Sequence, residues 1–187
     1  EGIATPAGQL LPAGFHGVSE NMKPLKYDPE LSKKLLAEAG YADGFKMTIH
    51  GPNDRYINDA KVAEALAQMF NRIGIEASVE TMTKAVYFKR ASRGGPNDSP
   101  EFSFMLLGWG AGSGEASSPL KALLHTFDKS KGLGAANRGR HSDPRVDEII
   151  QKALATVDSD ARGKLLAQAT DCLLYTSPSP RDIPLSR

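Results

Sequence analysis

The sequence predicts an α/β domain built from βαβ units. Three observations carry that reading. Stretches with apolar residues at helical spacing alternate along the chain with short stretches of apolar–polar alternation. Cap and turn residues (Asp28-Pro29-Glu30, Gly40, Gly74, Ser142-Asp143-Pro144) fall between them. Finally, FSFMLLGWGAGSGEASSP, Phe102 to Pro119, opens apolar on both faces and changes abruptly to glycine, serine and one acid. A buried central strand delivering a loop to a sheet edge has that form.

Glu1–Lys26 is rich in Gly and Pro and reads as an irregular connector lying across a surface. Asp28 is then placed to cap a helix that has Pro29 at its first position, Leu31, Leu35, Leu36 and Ala39 as its stripe and Gly40 as its stop. Phe45, Met47 and Ile49 alternate as a half-buried strand, and Gly51–Tyr56 (GPNDRY) is a loop. Asn58 or Asp59 caps a second helix whose expected inner face is Val62, Leu66, Met69, Phe70 and Ile73. Ile75, Ala77 and Val79 mark the next strand, Lys84–Ser92 a short helix, and Arg93–Pro100 a polar turn. Past the central strand, Leu120–His125 is a short helix and Asp128–Arg140 is irregular and basic. A helix from Pro144 is expected to bury Val146, Ile149, Ile150, Ala153, Leu154 and Val157, and a last helix begins near Asp160.

The chain of 187 residues suffices for one domain or one large part of a bigger protein. Its 23 basic and 22 acidic side chains leave a formal charge of +1, and no basic stripe with interleaved aromatics marks a nucleic-acid surface. No run has the length of a membrane span. His16, His50, His125 and His141 are scattered without metal-ligand spacing, so neither metal nor cofactor is expected.

Catalysis finds little support in the residues. No serine lies in a G-x-S-x-G elbow, and Gly110–Gly114 lacks the Lys-Ser/Thr ending of a phosphate loop. A hydrolase or transferase using His125 or His141 as base is the alternative reading, with no partner indicated by spacing. Binding fits better. Trp109, flanked by Gly108 and Gly110, forms either a cleft wall or a plug over the core. Near it in sequence stand Gly112, the lone acid Glu115, and the NRGR segment with Asn137, Arg138 and Arg140. Arg55 and Tyr56 come from the end of another strand. An arginine in a cleft offers a carboxylate a forked, charge-assisted pair, and an acid does the same for an amine. Against these stand plain structural roles: solvated arginines, Glu115 as a helix cap, and Tyr56 packed on the surface.

Several motifs in order, YDPELSKKLLAEAGYADGF, AKVAEALAQMFNRIGIEASVE, FSFMLLGWGA and RHSDPRVDEIIQKAL, resemble the family 5 extracytoplasmic solute-binding proteins of ABC transporters. This is the dipeptide, oligopeptide and nickel group, and the resemblance spans residues 1–171. It implies most of the second lobe of a two-lobed fold of the type II periplasmic-binding-protein kind, with residues 27–171 as the ligand-binding lobe. It further implies no catalysis, a peptide-like solute, and delivery to a membrane permease with its ATPase. The complete protein is then periplasmic or lipid-anchored outside the inner membrane, monomeric, and peripheral to the membrane through the permease. In dipeptide binders of the family a loop aspartate after Gly-Trp grips the ligand amine; here Gly112 holds that place, with Glu115 three residues on. The arginine that grips the ligand carboxylate is replaced at about its place by Asp54, with Arg55 beside it.

The string CLLYTSPSPRD, Cys172 to Asp182, resembles a translated transposon-type sequencing adapter. Residues 172–187 are accordingly expected to be non-native, which removes the single cysteine, Cys172, as a redox signal. The family resemblance also implies that a signal sequence and a first lobe, neither present in these residues, belong to the complete protein.

Overall fold

The computed structural model describes residues 4–175, and side chains through residue 172. The described residues form two units, residues 27–108 and residues 4–26 with residues 109–175. The remainder of the expected non-native tail, residues 176–187, lies outside the described residues.

In the first unit, α1 (Pro29–Glu38) starts as its sequence predicts: Asp28 accepts the Leu31 amide at 2.9 Å, and Gly40 follows at φ +86°. Its apolar stripe is not buried, with Leu31 49% and Leu35 54% exposed. Next come β1 (Lys46–Pro52), α2 (Asp59–Arg72), β2 (Glu76–Met82), α3 (Lys84–Arg93) and β3 (Phe104–Met105). The strands are parallel in the order β2-β1-β3, with Ile49 opposite both Val79 and Phe104. The β1–α2–β2 passage is the βαβ unit that a parallel pair requires. Among the described residues β1 is the central strand and β3 pairs with β1 alone, over two residues, whereas the sequence predicts the central strand in the Phe102 stretch. β1 also runs through Gly51 and Pro52, both expected in the loop.

α2 rests on the sheet through small residues. Ala63 and Ala67 are buried against Ile49, with Leu66 and Phe70 beside them. Val62 and Met69, expected inside, are 42% and 49% exposed. The two alanines let the backbone approach the strands closely, which turns the bulkier pair away. On α3, Tyr87 and Ala91 bury against Phe102. Arg90 lies 4.8 Å above the Phe102 ring and donates to Glu101 (2.7 Å) and Glu80 (2.9 Å).

The second unit is helical. α4 (Ser117–Pro119) widens into π-type turns over Leu120–Leu124, and α5 (Pro144–Ala155) and α6 (Ser159–Tyr175) complete it. Leu11 from the connector joins Leu120, Val146, Ile150, Ala153 and Leu166 in one core. Asp143 caps α5 by accepting the Arg145 amide at 2.9 Å. Val157, expected inside, is 97% exposed because α5 ends at Ala155. The connector is strapped to α6. Ser19 and Asn21 donate to Asp171, and a Cβ at Gly163 would stand 2.6 Å from the His16 ring. α6 also continues through Cys172 to Tyr175, the first residues of the adapter-like string.

Candidate functional site

Parallel strands direct ligands to the crevice beyond their carboxyl ends. In the 27–108 unit that end consists of the loop after β1 and the exit of β3. A shallow apolar cavity of about 130 Å³ lies there, lined by Tyr56, Ile57, Val62, Leu106 and Leu107 among others.

The loop is held by carboxylates. Asp59, buried at the start of α2, accepts the Tyr56 amide at 3.0 Å, the Arg55 amide at 2.9 Å and the Ala60 amide at 2.9 Å. Those bonds, the Tyr56 amide foremost, hold its carboxyl below the ordinary aspartate value. Asn58, the other candidate cap, sits at φ +56° and makes no cap bond. Asp54, at about the place of the family's carboxylate-binding arginine, instead accepts the Lys84 amide at 2.5 Å, capping α3. The Arg55 guanidinium lies 5.0 Å over the Tyr56 ring. The Tyr56 hydroxyl accepts the Gly108 amide at 2.9 Å.

In the second unit, Trp109 is 41% exposed. Gly110 and Gly112 follow, and a Cβ on either would meet open space, so neither needs to be glycine for lack of room. Glu115 is already engaged. Arg162, 47 residues on, donates to it through Nε (3.0 Å) and a second guanidinium nitrogen (2.5 Å), and the Ser117 hydroxyl donates as well. Arg162, above all, holds the Glu115 carboxyl below its ordinary value, and Glu115 in turn raises Arg162. This fork occupies the acid that stood nearest the missing amine-binding position.

Asn137 is buried and structural. Its side-chain amide donates to the His125 and His141 carbonyls (3.0 and 2.7 Å), and its oxygen accepts the His141 amide at 3.0 Å. Arg140 donates to the Asn137 carbonyl at 3.0 Å and lies 5.0 Å over the Phe127 ring.

His125, the candidate base, is 4% exposed. Its Nδ1 lies 2.8 Å from the Thr126 carbonyl, so that nitrogen carries the proton; Nε2 then accepts from the Gln151 amide at 2.9 Å. Both ring nitrogens thus have partners within the protein, and Asp147 Oδ1 also lies 3.5 Å from Nδ1. Among the described residues no group of three or more His, Cys, Asp or Glu could hold a metal, and no helix is long and apolar enough to cross a membrane.

Residues 1–131 match the model for bacterial extracellular solute-binding proteins, family 5 middle. The chain belongs to this family. Among family 5 relatives, the heme-binding protein A of Haemophilus influenzae is 29% identical over 175 residues, covering 90% of this chain and 30% of that protein. The glutathione-binding protein GsiB of Escherichia coli K12 is 30% identical over 177 residues, covering 95% and 34%. The chain therefore spans about a third of these curated relatives. The ABC transporter-associated periplasmic binding protein DppA of Helicobacter pylori, solved with the peptide STSA, superposes with a TM-score of 0.74 at 25% identity, covering 89% of this chain and 31% of that one. The α/β fold is that of periplasmic binding proteins.

Sequence reasoning missed Asp59, Arg162 and Asn137 as the residues that hold these loops. Only Asp59 left a local signal, as an acid just after the loop it binds.

Proposed function

We propose that this chain is the larger part of one lobe, residues 27–171, of the substrate-binding component of an ABC importer. That component captures a peptide-like or similar small solute outside the inner membrane and hands it to the permease, which its ATPase drives. The family match over residues 1–131 carries the reading. The names of relatives, a heme-binding protein, a glutathione-binding protein and a periplasmic protein solved with a peptide, support a small-solute reading. The complete protein is periplasmic or lipid-anchored, monomeric, and without catalysis or cofactor. In this reading Trp109, Gly110 and Gly112 contact the solute, and Arg55 is a further candidate contact.

Gly112 has no side chain, and Glu115 is taken by Arg162. A dipeptide gripped by a loop carboxylate is therefore not the ligand this reading favours; a solute held through its backbone or apolar groups is. Native mass spectrometry of the complete protein, purified from its host without denaturation, tests this. A co-purified small solute that leaves on unfolding is expected. A ligand-free protein that turns over an ester or amide substrate would overturn the reading.

A further inference from the structure

We propose that Tyr56 is the positioning residue of the Trp109 loop. The β3 ladder runs out before the loop begins: its last bond in the direction of Trp109 is the Leu106 amide to the His50 carbonyl at 2.9 Å. Two residues later the backbone is held again, this time by a side chain, because the Gly108 amide donates to the Tyr56 hydroxyl at 2.9 Å. A phenol oxygen thereby takes the part of the next strand's carbonyl.

Three features make this a clamp rather than a passing contact. The ring lies against the Gly108 backbone so closely that a Cβ there would stand 2.7 Å from Cε1 and 3.1 Å from Cζ. A glycine at 108 is what allows the ring in. The backbone of Tyr56 is itself fixed, since Asp59 at the head of α2 accepts the amides of Arg55 and Tyr56 at 2.9 and 3.0 Å. The Arg55 guanidinium lies 5.0 Å over the same ring. The chain Asp59–Tyr56–Gly108 thus runs from α2 to the residue preceding Trp109. A tyrosine in this place serves the solute indirectly, by fixing where Trp109 starts; that functional meaning rests on the importer reading, but the clamp itself does not.

The test is made on the chain without ligand, so its failure is distinct from failure of the importer reading. Trp109 is the single tryptophan, so fluorescence quenching by acrylamide reads this loop alone. Amide exchange at Gly108, followed by NMR, reads the bond directly. In Tyr56→Phe, exchange at Gly108 is expected to rise about fivefold or more, the worth of one hydrogen bond. Trp109 quenching should rise with it while the melting temperature stays near that of the wild type. Faster exchange without any change at Trp109 would overturn the positioning role, and so would no change in either. If Tyr56→Phe does not fold, wild-type exchange decides: a Gly108 amide as fast as an open loop amide overturns the clamp, and a protected one supports it.

Discussion

Arg162→Ala removes the partner of a carboxylate that cannot easily rehydrate. The Glu115 and Arg162 side chains are 19% and 24% exposed, and two guanidinium nitrogens reach the carboxylate. Breaking one side of a fully buried pair costs about 3–5 kcal/mol, whereas an exposed pair is worth about 1 kcal/mol or less. The partial burial places this substitution at about 2–3 kcal/mol, with Ser117 left as the remaining donor to Glu115. In a chain of this size that is about 5–10 °C in melting temperature. Urea unfolding followed by circular dichroism measures it, and Arg162→Lys, which keeps the charge but loses the fork, should fall between the two.

The pH dependence adds a second readout. Arg162 holds the folded Glu115 carboxyl below its ordinary value of 4.5, so the pair's contribution is complete above that pH. It is lost as pH falls through the lower, folded value. The gap between wild type and Arg162→Ala should therefore be constant near neutrality and narrow below about pH 4.5. A destabilisation under about 0.5 kcal/mol at pH 7, the level of an ordinary surface change, would refute the argument. A gap that did not narrow in acid would also refute it.

Two further outcomes follow from the loops. Asn137→Ala should cost about 2–4 kcal/mol in thermal or urea unfolding, since it strips hydrogen bonds from the His125 and His141 backbone within a buried site; unchanged stability with lost solute binding would return Asn137 to the ligand. Gly112→Asp meets open space and should fold normally. In the complete protein it should tighten binding of a free-amine dipeptide such as Met-Leu by about tenfold or more, the worth of a charge-assisted bond, by calorimetry; no gain would show that position 112 does not face an amine.

What the sequence made legible was what its local chemistry determines. Asp28 and Asp143 announce α1 and α5 because a cap acts within three residues, and the spacing of strands and helices from Met47 to Ala91 gave the βαβ order. Burial was less legible. Val62 and Met69 have the same helical periodicity as a core face, and only the close seat of Ala63 and Ala67 on Ile49 decides which side turns inward. Val157 fits the spacing of α5 but lies beyond its end. The polar residues were hardest, since their partners are distant in the chain. Glu115 looked available for an amine because nothing beside it announces Arg162, and Asn137 because the carbonyls it serves belong to backbone, which a sequence pattern does not display.

The close approach of α6 to the connector bears on how this surface evolves. A glycine inside a helix costs about 1 kcal/mol relative to alanine. At Gly163 that cost admits the His16 ring, whose Nε2 lies 3.0 Å from the Ser159 carbonyl. Neither position is free to drift alone: an alanine at 163 strikes the imidazole, and a smaller residue at 16 leaves the glycine without its purpose. Residues 16 and 163 should therefore covary among orthologues, appearing as a correlated pair 147 positions apart that links the irregular start of the chain to its last helix.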